Sequence, residues 1–399
     1  MEVGGAPALA LVPAPAVPVP VPVVDVNAEQ MMNLIHHLKA ALGKTIQLWE
    51  IPLPPPNAGI YHYLRGQAGN KARLHLRVES DGRGTLLINA SRMIHLNPTA
   101  TYMAYLFLNT MTDSQAVHAL SRYYDVPKDQ AGVDYNGFKK QMEGLLDPDS
   151  SCPICDLDLE TTAPFSHTPS APYRMDLALT YRCNNACSHC YNPLGAPKAE
   201  LGTTEWKQII DTLWELNIPH IIFTGGEPTL RQDLAELIAH AEKNGQITGL
   251  NTNGRRLRDE DYLQTLVDAG LDHVQITLES HLPEIHDHMV NRQGAWQDTV
   301  CGIRNALKTR LFVMTNTTLL RRNTTNLPEM LEFLAYLGVP TAGLNTLIYA
   351  GHGLSVKEPL AQSELNHLLR ISQDFTTSNQ MRLIWYTPTQ YCHFNPVEA

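Results

Sequence analysis

From Asp176 onward the chain alternates short β-branched and aliphatic runs with longer amphipathic ones, and this rhythm limits the fold more than any other feature. Candidate strands fall at 176–182, 219–224, 246–252, 273–279, 311–318 and 341–348. Helical patterns follow them, as in Trp206, Ile209, Ile210 and Leu213, or Leu230, Leu234, Leu237 and Ile238. Strands alternating with helices predict parallel pairing through right-handed crossovers. The count is six units and not eight. The expected fold class is therefore α/β, a partial (βα)6 barrel of parallel strands over residues 173–380. Its functional residues are expected in the loops at the carboxyl ends of the strands.

A different pattern precedes the barrel. Residues 1–27 form a Pro/Ala/Val-rich tail whose Pro-Val repeats favour mobile polyproline II, and 28–69 read as a helix and linker. Over 70–147, Leu74, Leu76 and Val78 alternate, Asp81-Gly82 signals a hairpin, and "RMIHL" adds a short strand. Three helical stretches follow, with Thr112 and Gln115 spaced as a capping box. This predicts a small α+β, winged-helix-like domain. Residues 148–172 are a linker containing "CPIC".

Composition excludes some function classes. A formal net charge of −10 argues against general nucleic-acid binding by phosphate neutralisation. The apolar N-terminal tail is broken by prolines and has no Lys or Arg before Lys39, so it fits neither a signal peptide nor a membrane helix. Seven clustered cysteines in 399 residues read as reduced thiols of a cytoplasmic metal protein, not as a disulfide framework.

The chemistry begins in "YRCNNACSHC", where Cys183, Cys187 and Cys190 follow the first barrel strand. Three readings are open: a zinc site closed by His189, free thiols, or an iron–sulfur cluster with one iron left open. One βα unit later comes "HIIFTGGEPTL". There Gly225 and Gly226 allow unusual backbone angles and close approach to a ligand. Glu227 is expected to place a carboxylate at the barrel mouth, ready to accept from an ammonium group, and Pro228 suits a first helical turn.

The cysteine triplet with "GGEP", together with the preceding "PYRMDLALTYRCN", resembles the radical SAM superfamily, here of the SPASM/PqqE-like peptide-modifying type, over about residues 172–350. That resemblance implies a [4Fe–4S] cluster on the three cysteines and S-adenosyl-L-methionine (SAM) chelating the open iron. Electron transfer would cleave SAM to a 5′-deoxyadenosyl radical that takes hydrogen from the substrate. The GGEP segment would contact the methionine amino group. Asn253 and Ser280 are further candidates for ribose or carboxylate contacts, and Arg292 for the SAM carboxylate. His281, His286 and His288 read as surface or helix residues. Cys301 reads as a buried thiol on the apolar face of its helix.

The 70–147 block, with "LLINASRMIHLNPTA" and "YYDV", resembles PqqD-like domains, the RiPP recognition elements that hold the leader of a precursor peptide. Such domains work by strand addition to an exposed sheet edge. Residues 381–399, with Cys392, resemble the start of a SPASM/twitch extension, truncated here. Cys152, Cys155 and Cys392 are possible ligands of an auxiliary iron–sulfur cluster or zinc. The resemblances together imply a radical SAM peptide maturase with a precursor-peptide leader and an electron donor such as a flavodoxin or ferredoxin as partners. The alternatives are a sulfatase-maturing or haem-modifying type of radical SAM enzyme, or a degenerate peptide-binding chaperone.

Overall fold

The computed structural model describes residues 52–65, 72–89, 92–146, 169–192, 199–357, 359–390 and 394. The expected tail, the first helix, the CPIC linker and Cys392 lie outside these residues.

The first domain is a four-stranded antiparallel sheet in the order β1 (Gly59–Arg65), β2 (Ala72–Val78), β3 (Gly84–Ile88), β4 (Arg92–Leu96). Three helices follow: α1 (Pro98–Leu108), α2 (Asp113–Tyr124) and α3 (Lys128–Leu146). Three of the strands and all three helices follow the sequence expectation. β1 corrects it, since Gly59–Arg65 falls in the stretch read as helix and linker. Its "IYHYL" run pairs residue by residue with β2, from Gly59 opposite Val78 to Arg65 opposite Ala72. The Asp81-Gly82 turn holds, with Gly82 at φ +83°. The capping box also holds: Gln115 N–H donates to the Thr112 hydroxyl, and Thr112 N–H to the Gln115 side chain.

The second domain is a seven-stranded sheet, parallel throughout, in strict sequence order: β5 (Arg174–Thr180), β6 (His220–Gly225), β7 (Ile247–Thr252), β8 (His273–Thr277), β9 (Phe312–Leu319), β10 (Thr341–Thr346) and β11 (Arg382–Trp385). Six βα units are present, as expected. The seventh strand comes from the stretch read as the start of an extension, and it pairs with β10 from Thr341 opposite Arg382 to Leu344 opposite Trp385. β5 and β11 do not pair with each other, so the barrel is open on that side. The crossovers include α4 (Thr203–Glu215), α5 (Leu234–Asn244), α6 (Glu260–Asp268), α7 (Pro283–Met289), α8 (Ala295–Leu307), α9 (Leu327–Leu337) and α10 (Gln362–Ser378).

Strand alternation divides the barrel chemically. Ile221, Phe223, Leu250, Val274, Val313 and Leu344 pack outward against Ile210, Leu237, Leu266 and Leu331 of the helices. The alternate positions point inward, and toward the carboxyl ends of the strands they are polar: Thr224, Asn251, Gln275, Asn316 and Asn345. On α8, Thr299, Val300, Ile303 and Ala306 are buried, but Cys301 is exposed. The sequence placed it on the apolar face, yet one residue past Val300 the helix has turned about 100°.

The first domain sits on the barrel's amino end, and β2 makes the joint. Leu74, Leu76 and Val78 enter their own domain's core. Arg73, His75 and Arg77 alternate to the other face. Arg73 donates to Asp272 at 2.8 Å and also pairs with Glu242. His75 Nε2 donates to the Gly245 carbonyl at 2.7 Å, and Arg77 donates to the Ala171 carbonyl at 2.8 Å while lying over the Tyr173 ring. Gly245, Asp272 and Tyr173 lie one or two residues before β7, β8 and β5, so these anchors are at the end opposite the cysteine loop.

Four histidines gather at this floor. Burial, reinforced by the Arg73 charge, lowers His62 to about 4, and burial with His62 beside it lowers His75 to about 3. His220 and His273 face each other Nε2 to Nε2 at 2.8 Å, and burial lowers both. The folded chain holds these rings neutral, whereas the unfolded chain takes up protons near the ordinary 6.5. Their contribution to stability is therefore complete above pH 6.5 and is lost as pH falls from there toward about 4. The urea midpoint is expected to drop between pH 7 and about 5.5, a window above the range where most carboxylates titrate. An unchanged midpoint would mean the rings already bind protons when folded. Among the described residues no helix is long and apolar enough to cross a membrane.

Candidate active site

The cysteine loop leaves the carboxyl end of β5 and is tied down on several sides. Ala186 and Ser188 donate backbone N–H to the carbonyls of Val290 and Met289 at 3.0 and 2.9 Å. His352 N–H reaches the Cys190 carbonyl at 2.8 Å. Arg255 Nη1 donates to the Asn184 carbonyl at 2.9 Å and to Asn185 Oδ1 at 3.1 Å, while Nη2 of the same guanidinium pairs with Asp298. Cys183 is exposed, and Cys187 and Cys190 are half-buried.

All three thiols line one cavity of about 830 Å³ inside the barrel mouth, with Gly225, Gly226 and Asn253. Burial, with the Glu279 carboxylate and the other two thiols beside it, pushes the Cys187 thiol far up; burial also raises Cys183. Among the described residues no side-chain cation pairs with Cys183 or Cys187, so a bound metal group would supply the positive charge their thiolates need. The donor set therefore fits a metal group. His189, the fourth ligand of the zinc reading, is engaged elsewhere: its Nε2 meets Glu279 Oε1 at 2.9 Å, and Glu279 is fully buried. Burial opposes the imidazolium, but the Glu279 charge overrides it and raises the His189 pKa. Among the described residues no three His, Cys, Asp or Glu side chains converge on a single-ion site. A thiolate set spread around an open cavity suits a cluster of irons, each taking one sulfur.

Gly225 takes the unusual backbone angle expected of it, φ +136°, and both GGEP glycines have a further reason to lack a side chain. A Cβ on Gly225 would stand 2.2 Å from the Thr180 carbonyl oxygen, and one on Gly226 would stand 2.3 Å from that of Arg182. What approaches closely is the β5 backbone as it turns into the cysteine loop. Gly226 and Glu227 N–H bond to the Thr180 and Arg182 carbonyls at 2.6 and 2.8 Å. Gly226→Ala is expected to lower stability by about 3 kcal/mol, because backbone and not a movable side chain meets the new methyl. It should also cut iron uptake, and urea melts with iron analysis would show both.

Glu227 is corrected more fully. It is 0% exposed and does not line the cavity. Its carboxylate accepts from the Thr229 hydroxyl and N–H at 2.6 and 3.1 Å, the Thr252 hydroxyl at 2.7 Å and Asn253 N–H at 2.8 Å. Burial pushes its pKa up against these four donors. Chain direction explains the turn: Pro228 starts a 3-10 turn for which Glu227 is the N-cap, drawing the carboxylate back onto Thr229.

Asn253 does line the cavity, and its Nδ2 donates to Asn184 Oδ1 at 2.6 Å, within the cysteine loop. Ser280 is buried, accepts from Leu282 N–H at 3.1 Å and lies outside the lining. Arg292 is exposed and also outside it. His286 is buried, its Nδ1 accepting from Glu279 N–H, and His288 is exposed. Sequence reasoning missed the His189–Glu279 pair, the Arg255 clamp and Tyr386, whose hydroxyl crosses from the end of β11 to donate to Gln275 on β8 at 2.8 Å. The inward alternation of β8 was the available signal for Gln275, Thr277 and Glu279.

Three comparisons bear on this geometry. Residues 177–335 match the Radical SAM superfamily. The PqqA peptide cyclase of Granulibacter bethesdensis is 34% identical over 198 residues, 49% of this chain and 53% of that protein. The Fe-coproporphyrin III synthase of Methanosarcina barkeri is 33% identical over 189 residues, 47% of each chain. The chain thus spans about half the length of the curated relatives it matches. Among solved structures, Streptococcus suis SuiB bound to precursor peptide SuiA shares the fold, with a TM-score of 0.59 over 85% of this chain and 75% of that one at 12% identity. The part of the barrel that carries the cysteine loop and the GGEP turn is thus the part similar to the Radical SAM superfamily.

Proposed function

We propose that the chain is a radical SAM peptide maturase acting on a ribosomally made precursor. Cys183, Cys187 and Cys190 would hold a [4Fe–4S] cluster beside SAM, with Gly225, Gly226 and Asn253 along the cofactor's edge of the cavity. Bound there, the cluster and SAM supply one-electron chemistry that removes a hydrogen atom from the substrate. The chain's own residues set the stage. Arg255, Asn253 and the His189–Glu279 pair fix the cysteine loop, and the walls of the cavity keep bulk water from the reacting atoms.

The observation that carries this reading is three thiols of one loop opening onto a single large cavity at the carboxyl end of a parallel barrel. The peptide part is supported by the antiparallel sheet docked beneath the barrel, in which β1 and β4 are the edge strands among the described residues. Strand addition there would hold a leader segment. The relatives named PqqA peptide cyclase and the SuiB–SuiA complex point to the same substrate class. A flavodoxin or ferredoxin would deliver the electron in the cytoplasm, and Cys152, Cys155 and Cys392 are proposed as ligands of an auxiliary centre.

The test is anaerobic reconstitution with iron and sulfide, followed by iron analysis and electron paramagnetic resonance of the reduced protein with and without SAM. A [4Fe–4S] signal that changes on SAM addition, with 5′-deoxyadenosine formed, is the expected result. Bound zinc with no iron signal would overturn the reading.

A further inference from the structure

The inward faces of five successive strands carry a belt of side chains that hydrogen-bond but do not ionise: Thr224 on β6, Asn251 on β7, Gln275 and Thr277 on β8, Asn316 on β9 and Asn345 on β10. Charges in the same wall are already compensated. Arg174 forks onto Asp176 at 2.6 and 2.8 Å, and Glu279, 0% exposed, has one oxygen on His189 Nε2 at 2.9 Å and the other on Thr318 N–H at 2.8 Å. Glu227, the one carboxylate expected to face the cavity, has turned away from it.

The belt is only partly satisfied from within. Asn316 Nδ2 donates to Asn345 Oδ1 at 2.9 Å, but Asn316 Oδ1 is buried with no partner. Gln275 Oε1 accepts from Tyr386, leaving its NH2 group for the cavity. A ligand bringing amide or hydroxyl groups would meet these atoms and recover the cost of leaving them unpaired. A charged side chain would lose its hydration and find no opposite charge to replace it.

We propose that the substrate group seated in this belt is uncharged and hydrogen-bonding, an amide or hydroxyl of the peptide. That the occupant is a peptide rests on the maturase reading; that it is uncharged rests on the wall. Asn251 and Gln275 are the specificity-determining residues, because their free amide groups face the cavity from adjacent strands.

Capped tripeptides, acetyl-Gly-Xaa-Gly-amide, serve as probes, with binding to the reconstituted full chain measured by saturation-transfer NMR. Probes with Xaa = Asn, Gln, Ser or Thr are expected to bind about tenfold tighter than those with Asp, Glu, Lys or Arg. The Ala probe separates two sources. Binding equal to Asn assigns the belt to backbone amide, and weaker binding assigns it to the side chain. Asn251→Asp should bring the Lys and Arg probes up by about tenfold, since it supplies the missing charge. Charged probes that bind wild type as well as neutral ones, or no binding by any probe, would overturn the inference. SAM cleavage followed on the same preparation keeps the two readings apart. Neutral preference without 5′-deoxyadenosine removes the maturase reading alone, and 5′-deoxyadenosine with charged preference removes this inference alone.

Discussion

Cys187→Ala is expected to leave the chain folded and without its cluster. The thiol is half-buried, and removing it deletes one sulfur at the cavity wall, so the melting midpoint should move little. Iron after reconstitution should fall from about four per chain to near zero, because a cubane tied by two thiolates has lost the anchoring that three provide. SAM cleavage should fall to background with it. The proposed peptide binding to the first domain should survive, since that sheet anchors at the opposite end of the barrel. The outcome that would sink the assignment is retained iron with retained 5′-deoxyadenosine. Large destabilisation with normal iron would instead mark Cys187 as a packing residue.

Glu227→Ala should have the largest effect on the fold of the site. The substitution strands the buried Thr229 N–H and the buried hydroxyls of Thr229 and Thr252, together with the part-buried Asn253 N–H. At about 1–3 kcal/mol for each unsatisfied buried group, partly relieved by relaxation, the loss is expected to be about 4 kcal/mol. Glu227→Gln should fall between, because its amide NH2 meets a donor where an oxygen accepted before. The chemistry should follow the structure: as Asn253 moves, its hold on Asn184 loosens and the cysteine loop takes up less iron. Urea melts and iron counts on the three proteins check this. If Glu227 instead met the cofactor's ammonium group directly, Glu227→Ala would weaken SAM binding with little change in stability.

The contrast between these two residues shows what a sequence discloses. Cys183, Cys187 and Cys190 were legible because their meaning lies in local spacing, and the parallel barrel because its alternation repeats over many residues. The capping box at Thr112 and the turn at Gly82 were legible for the same reason. Glu227 was legible as important but not in its role, because the partners that turn its carboxylate inward include Thr252 and Asn253, about 25 positions away. His189 and Glu279 are 90 positions apart, and nothing in either neighbourhood announces the pair. β1 was hidden behind the proline run at 52–56, since a strand of seven residues declares itself mainly through its partner. β11 was hidden because its four residues were read together with Cys392 beyond them.

The position of the first domain beneath the barrel sets a length on whatever it holds. A segment added to its sheet would lie at the amino ends of the strands, while the thiols lie at the carboxyl ends. β7 spans six residues between these two levels, roughly 20 Å at about 3.3 Å per residue. An extended chain covers at most about 3.6 Å per residue, so in the proposed maturase at least about six residues would separate the held segment from the residue that reacts. With the open side between β5 and β11 as the route, a tether of that length keeps the reacting residue at an effective concentration in the millimolar range. Weak contacts in the cavity then suffice, and shortening the tether below the span would cost turnover without touching either binding site.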